Sequence, residues 1–357
     1  MTTAGGGVSS PRHAIIVVAG PTATGKSALA LDLARSFGAE IVALDSVQAY
    51  RGADIGAAKP SPAERGGIPH HGLDIWDPAH PGDTAQFLRV ARAAIAAVRA
   101  RGKPVIVVGG TGLYLTGLLH GLVDLPGADR GLRDELERLT SAALVDRLTS
   151  VDPVSAARIH PHDRVRLVRA IECSERSGEP ASVRRARHAH SETYYGAAIL
   201  VPLWERAALY RRIDTRAAAM VCSGLLEEAA SLLARDGVGP LGAIGYAEAR
   251  AVLRGEAPRA DLVPTIARAT RRFAKRQMTF WRNEPGKRGW RIRPTETEVG
   301  EVLAQGRSAT EEGASFRVLP WDRTTLAGEL GSWLKDTSRH GGIETWYLSA
   351  ARLGLGA

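Results

Sequence analysis

The chain has 357 residues, 44% of them apolar and 24% charged, a composition ordinary for a soluble globular protein with room for two domains. Its 47 lysines and arginines outweigh 38 aspartates and glutamates, and the net charge of +9 favours a polyanionic partner. Cys173 and Cys222 lie far apart outside any paired-cysteine motif, and neither a signal-peptide core nor a membrane-length apolar run is present. A disulfide framework, a zinc site and a membrane protein are therefore not expected; a cytoplasmic protein is, and a monomer is the separately expected state.

Residues 1–13, rich in Gly, Ser and Thr, are expected to be flexible. The first element is an apolar β-branched run, Ile15 to Val18, which enters the spacing Gly20-x-x-x-x-Gly25-Lys26-Ser27 and then a helical periodicity from Ala28 to Ala34. Strand, glycine loop and helix in that order make a phosphate-cradling P-loop. The loop runs from Gly20 through Pro21, Thr22, Ala23 and Thr24 to Gly25 and turns backbone N–H groups inward on a phosphate. Lys26 adds a charge, and the Ser27 hydroxyl is placed to ligate Mg²⁺.

A second strand, Glu40 to Leu44, delivers Asp45-Ser-Val-Gln48 to the carboxyl rim where ligands sit in an open parallel sheet. Two long Gly- and Pro-rich loops, residues 51–60 and 69–78, read as functional rather than as plain connections. A helix over 83–100 leads into a third strand, 104–108, which ends in Gly109-Gly-Thr-Gly112. Residues 14–123 thus form the first part of a P-loop α/β core with a parallel sheet.

From 124 to 195 the pattern is helical, with helices over 133–148 and 153–177 and many arginines; it reads as an insertion domain. The core resumes over 196–295 with a strand at 197–203, helices at 204–219 and 225–235, and a loop, 242–247, that opens another helix. The most regular segment runs from Pro264 to Arg282. Arg268, Arg272, Lys275, Thr279 and Arg282 fall at helical steps with no acid among them, a stripe suited to phosphates. The tail, 296–357, is weakly patterned; Leu326, Leu330 and Trp333 hint at one short helix, and the tail points to no chemistry.

A P-loop alone suggests ATP or GTP chemistry. Such enzymes also carry an acid at the end of a later apolar strand, whereas here that strand ends in Gly-Gly-Thr-Gly. Asp45 is the carboxylate that a core strand brings to the rim, as a Mg²⁺ ligand, a general base or a cap for the next turn. The pairs His70-His71 and His160/His162 lack a third ligand at metal spacing and read as structural.

Taken together, Gly20-Pro-Thr-Ala-Thr-Gly-Lys-Ser27, Asp45-Ser-Val-Gln48, Asp54-Ile-Gly-Ala-Ala-Lys-Pro60 and Pro69-His-His71 resemble the tRNA dimethylallyltransferase family. So do Gly109-Gly-Thr-Gly-Leu-Tyr114, Ala157-Arg-Ile-His-Pro161, Arg169-Ala-Ile-Glu172, Ile244-Gly-Tyr246 and Ala274-Lys-Arg-Gln277, in the family's order from about residue 14 to 285. The resemblance implies transfer of a dimethylallyl group from dimethylallyl diphosphate to N6 of adenosine 37, beside the anticodon of tRNA. It makes Asp45 the base, Lys26 a diphosphate ligand and Thr111 a contact to the target nucleotide, with Ser46, Val47 and Gln48 along the same wall. By the same resemblance, contacts to the anticodon stem-loop fall on Arg133, on Val165, Arg166, Leu167, Val168 and Arg169, and on Gly242, Ala243, Ile244, Gly245, Tyr246 and Ala247. They continue on Lys275, Arg276, Gln277, Met278, Thr279, Phe280, Trp281 and Arg282, the stretch that the basic stripe also marks. The pattern departs from the family's at Ala57, Gly72 and Ala247. Rival readings are an isopentenyltransferase acting on free adenine nucleotides, a P-loop kinase or NTPase, and an RNA-binding module without catalysis.

Overall fold

The protein is described from a computed structural model at residues 14–80, 82–188, 193–235, 239–287, 291–292, 318–319, 322–335, 343–350 and 353–355. The flexible start expected for residues 1–13, and the tail from 296 to 317, lie outside the described residues.

The apolar runs expected to be strands do form the middle of a parallel sheet. Its strands are β1 (Ala14–Val18), β2 (Glu40–Ala43), β3 (His70–His71), β4 (Val105–Val108) and β5 (Gly196–Leu203), followed by β6 (Arg291–Ile292), β7 (Val318–Leu319) and β8 (Ile343–Ser349). The order across the sheet is β3-β2-β4-β1-β5-β8-β6, with β7 also paired to β8. β1 lies between β4 and β5, Val18 standing beside both Val108 and Leu200. Ile16, Val18, Ile106 and Leu200 are wholly buried, as continuous apolar runs in a doubly covered parallel sheet must be.

Helices α1 (Lys26–Phe37), α2 (Pro62–Arg65), α3 (Thr84–Ala100) and α4 (Gly112–His120) follow the first strands. Asp83 caps α3 by accepting the Gln86 N–H at 2.8 Å, which explains why the helical periodicity begins there.

The chain divides into two compact units, one made of 1–119 and 194–357 and the other of 120–193. Among the described residues the second unit is helical: α5 (Arg130–Glu137), α6 (Ser141–Val151), α7 (Pro153–Arg158), α8 (Arg164–Ser177) and α9 (Ala181–His188). The two long helices expected here are each cut once more, because Thr140 and Asp163 cap new helix starts with their side chains. Leu136, Leu144, Leu148, Leu167 and Ile171 form this unit's own core.

In the first unit α10 (Arg206–Cys222), α11 (Leu225–Ala234), α12 (Tyr246–Leu253) and α13 (Leu262–Lys287) follow β5, and α14 (Arg323–Lys335) precedes β8. Among the described residues no single helix is long and apolar enough to cross a membrane. The tail requires a correction. Its weak pattern suggested one short helix, yet β8 pairs with β5 from Ala197↔Ile343 to Leu203↔Ser349 in the interior of the sheet. Leu326, Leu330 and Trp333 of α14 pack with Trp346, Leu348 and Leu353 into the same core as Leu29 and Leu33 of α1. Burying those side chains is worth about 2 kcal/mol each, so the tail belongs to the main domain.

Candidate active site

The site is built where β1, β2 and β4 end. The loop 19–25 leaves β1 and passes directly into α1, whose first residue is Lys26 and whose N-cap is Gly25 at φ 88°. That left-handed angle is one a glycine adopts without strain. Four further contacts hold the loop in place. The Thr24 hydroxyl donates to the Pro21 carbonyl at 2.9 Å, and the Trp204 indole N–H donates to the Thr24 carbonyl at 3.2 Å. Arg212 donates from Nε to the Ala23 carbonyl at 2.9 Å while its guanidinium lies 4.6 Å over the Trp204 ring. From α13, Gln277 accepts the Thr22 N–H with Oε1 and donates Nε2 to the Gly110 carbonyl, both at 2.9 Å. Gly110 permits this close approach: a Cβ there would stand 2.5 Å from Gln277 Nε2.

Asp45 follows β2 on the same rim. Its Oδ1 accepts the N–H of Val47 at 2.9 Å and of Gln48 at 3.3 Å, which bears out the cap reading. Gln48 then donates Nε2 to the carbonyls of Ala57 and Ala58 at 3.1 and 3.3 Å, tying the 54–60 loop to this wall. The phosphate loop, Asp45, Gln48 and Thr111 line one cavity of about 1360 Å³ together with Arg211, Arg212 and Arg216 of α10 and Phe273 and Gln277 of α13.

The electrostatics of the cavity call for an anion. Burial first, and then the Arg216 charge, push the Lys26 ammonium down to about 7, and Asp45 only partly offsets them. Lys26 meanwhile donates to the Pro21 carbonyl at 2.5 Å. The Arg216 guanidinium is likewise lowered by burial, with Arg212 adding to the shift and Asp45 opposing it. Arg212 and Arg216 were not singled out in the sequence. Their spacing of four places them on one face of α10, but only the packing of that helix beside the phosphate loop marks the face as functional.

Glu228 of α11 is a further residue the sequence did not mark. Its carboxylate accepts the backbone N–H groups of Asp54, Ile55 and Gly56 at 2.9–3.0 Å and the Tyr246 hydroxyl at 2.6 Å. Burial and then this carboxylate push the Tyr246 phenol well up, which keeps it a donor. Lys59, its side chain almost wholly buried, closes the same loop with bonds of 2.6 Å to both Asp54 and Asp74.

The residues assigned to RNA contact separate into exposed and interior groups. On α13, Arg268, Arg272, Lys275, Arg276 and Thr279 are exposed and Met278, Phe280 and Arg282 half-buried, whereas Gln277 and Trp281 are buried. On α8, Val165 and Arg166 are exposed, but Leu167 and Val168 belong to the helical unit's core. Arg133 and Arg169 both bind Glu172: Arg133 with Nε and Nη2 at 3.0 Å, Arg169 with Nη1 at 2.5 Å. Burial raises the Glu172 carboxyl, and the bonds from Arg133, the Asp129 amide and Arg169 outweigh it and hold it below its usual range. These two arginines therefore fasten the helical unit internally. Along 242–247, Gly242 is exposed, Ala243, Ile244 and Ala247 are half-buried, and Gly245 and Tyr246 are buried. Where segments carry buried side chains, contact with a large partner falls to their exposed neighbours.

For a cation, the described residues offer no cluster of three or more His, Cys, Asp or Glu. Hard oxygens line the cavity, among them the exposed Ser27 hydroxyl and the Asp45 carboxylate. That set fits Mg²⁺, which takes few protein ligands and completes its shell with phosphate oxygens and water.

A family model described as IPP transferase matches residues 48–284, and one described as isopentenyl transferase matches 13–71. The chain belongs to the IPP transferase family. A tRNA dimethylallyltransferase from Anaeromyxobacter sp. (strain Fw109-5) is 50% identical over 278 residues, covering 76% of this chain and 92% of the relative. The corresponding protein of Myxococcus xanthus is 46% identical over 281 residues, covering 77% and 91%. Among solved structures, the full-length tRNA isopentenylpyrophosphate transferase of Bacillus halodurans matches with TM-score 0.58 at 30% identity over 92% of this chain and 98% of that one. A eukaryotic dimethylallyltransferase acting on tRNA matches with TM-score 0.68 at 28% identity, covering 77% of this chain and 71% of that one. The family membership agrees with the resemblance found in the sequence, and the matched regions hold the phosphate loop, Asp45, Thr111 and α13.

Proposed function

We propose that this protein transfers a dimethylallyl group from dimethylallyl diphosphate to N6 of adenosine 37 in tRNA. The observation that carries the reading is a recessed anion site, Lys26 with Arg216, facing a single strand-end carboxylate, Asp45, across one cavity. Lys26, the loop amides, Arg212 and Arg216 bind the diphosphate. As the C1–O bond breaks, negative charge grows on the leaving oxygen, and these fixed donors stabilise it without reorganising. When bound, Mg²⁺ held by Ser27 adds Lewis-acid stabilisation of the same charge.

The nucleophile is an exocyclic amine whose lone pair is drawn into the adenine ring. As N6 forms its bond to C1, its proton moves to Asp45. Because Oδ1 already accepts two amide N–H groups, the second carboxylate oxygen takes the proton. Thr111 and Gln48 line the cavity beside the attacking base. Adenosine must leave the anticodon stack to enter, at a cost of a few kcal/mol. Phosphate contacts from Arg268, Arg272, Lys275 and Arg276 on α13 offset that cost, and Gln277 links the same helix to the phosphate loop. The arrangement supports a whole RNA as substrate rather than a free nucleotide, and a cytoplasmic monomer is part of the proposal.

The test is incubation with labelled dimethylallyl diphosphate and either unmodified tRNA or AMP, with ATP turnover measured in parallel. Label in tRNA is expected. Label only in AMP, or ATP hydrolysis without prenyl transfer, overturns the proposal.

A further inference from the structure

The segment after residue 284 lies beyond the matched family model, and the Anaeromyxobacter and Myxococcus relatives cover 76% and 77% of the chain, whereas the Bacillus halodurans structure covers 92%. Yet this segment reaches the phosphate loop. Leu355 is buried, and its Cβ lies 3.0 Å from the point where a side chain on Gly25 would begin. Leu353 and Leu355 share a core with Leu29, Ala30 and Leu33 of α1, the helix that the loop opens. Arg323, at the start of α14, clasps this turn: Nε donates to the Leu353 carbonyl at 2.7 Å and Nη2 to the Gly354 carbonyl at 3.0 Å. Its Nη1 pairs with Asp32 of α1 at 2.7 Å. Ala350, the residue after β8, accepts the Leu355 N–H at 3.2 Å.

We propose that α14, β8 and the turn Leu353–Leu355 buttress the phosphate loop, and that Leu355, seated on Gly25 and clasped by Arg323, is a positioning residue for diphosphate binding. The physical need is specific. Gly25 holds its left-handed angle without strain, but a glycine has more backbone freedom to lose than any other residue. A side chain packed on its Cα face removes the alternatives before the ligand arrives, so the loop amides are already aimed. The Tyr347 hydroxyl donates to the Trp281 carbonyl at 2.7 Å, so β8 also braces the α13 helix that supplies Gln277 to the loop.

The inference rests on the reading of the loop as a diphosphate holder, and the test separates the two. Inorganic diphosphate with Mg²⁺ is titrated calorimetrically into full-length wild type, Leu355→Ala, Leu355→Met and Arg323→Gln, and tRNA affinity is measured alongside. A small misplacement of the amides is expected to weaken diphosphate binding about tenfold in Leu355→Ala. Leu355→Met restores most of it, Arg323→Gln shows a smaller loss, and tRNA affinity is unchanged. Arg323 is half exposed, so its substitution leaves the core filled even if Leu355→Ala unfolds. Wild-type diphosphate affinity in both Arg323→Gln and Leu355→Ala, or in Arg323→Gln where Leu355→Ala does not fold, overturns the buttress alone. Absence of diphosphate binding by wild type overturns the diphosphate reading and the buttress with it.

Discussion

Replacing Asp45 by Asn tests the base assignment cleanly because the structure separates its two jobs. Oδ1 holds the Val47 and Gln48 amides, and an asparagine can present its own oxygen to both at the same 2.9 and 3.3 Å. The turn, and with it Gln48 and the 54–60 loop, is therefore expected to survive. The proton acceptor is not: a carboxamide cannot take the N6 proton, and the loss of a general base costs about 10²–10⁴ in rate. Asp45 also supports the Lys26 charge, so its neutralisation lowers the ammonium further and raises KM for dimethylallyl diphosphate. Asp45→Ala adds a structural loss, since two amides lose their acceptor at about 1 kcal/mol. That corresponds to a midpoint about 2–4 °C below the Asn variant for a domain of ordinary size. Single-turnover transfer, tRNA binding by filter retention and thermal melts measure the three effects. A kcat within a few-fold of wild type in Asp45→Asn refutes the base role, and equal melting of the Asn and Ala variants refutes the capping role.

Because burial and the Arg216 charge push Lys26 down to about 7, and the ammonium form is the one that holds diphosphate, affinity is expected to fall as pH rises above 7, with a proton taken up on binding at pH 8. Calorimetry in buffers of different ionisation enthalpy reads that proton, and it should be missing from Lys26→Met. Arg272→Ala or Lys275→Ala should weaken tRNA binding and reduce the salt slope by about 0.7–0.9 for each phosphate left without its cation; an unchanged slope would make the stripe a solvated face. Trp281→Ala, at a site 1% exposed on the same helix, should instead cost about 3–5 kcal/mol of stability, seen as a lower denaturant midpoint. Glu228→Ala strips three backbone N–H groups and the Tyr246 hydroxyl of their acceptor and should cost at least about 2 kcal/mol. Its KM for substrate should rise as well, whereas a purely structural role would leave KM alone.

Local order in the chain was enough for the phosphate loop, because strand, glycine spacing and helix are contiguous and their chemistry is carried by consecutive backbone groups. The same holds for Asp45, which a short buried strand must deliver to the carboxyl rim, and for the exposed face of α13, whose stripe is a matter of helical period. Where two distant segments share a task, the sequence was silent. Glu228 and the loop 54–56 are 172–174 residues apart, and a lone glutamate on a helix carries no sign that three amides will converge on it. Arg216 reads as one arginine among many until α10 packs beside the loop. Arg133 and Arg169 show the converse: both look available for phosphate, and it is the buried Glu172 between them that engages their guanidinium groups. The tail is the largest case. A mixed seven-residue run such as Ile343–Ser349 carries no sign of its partner; what makes β8 an interior strand is the open edge of β5 and the core beneath it, and both exist only after the rest of the domain has folded. Sequence alone thus determined the succession of strand, glycine loop and helix, and tertiary packing decided what holds the loop still.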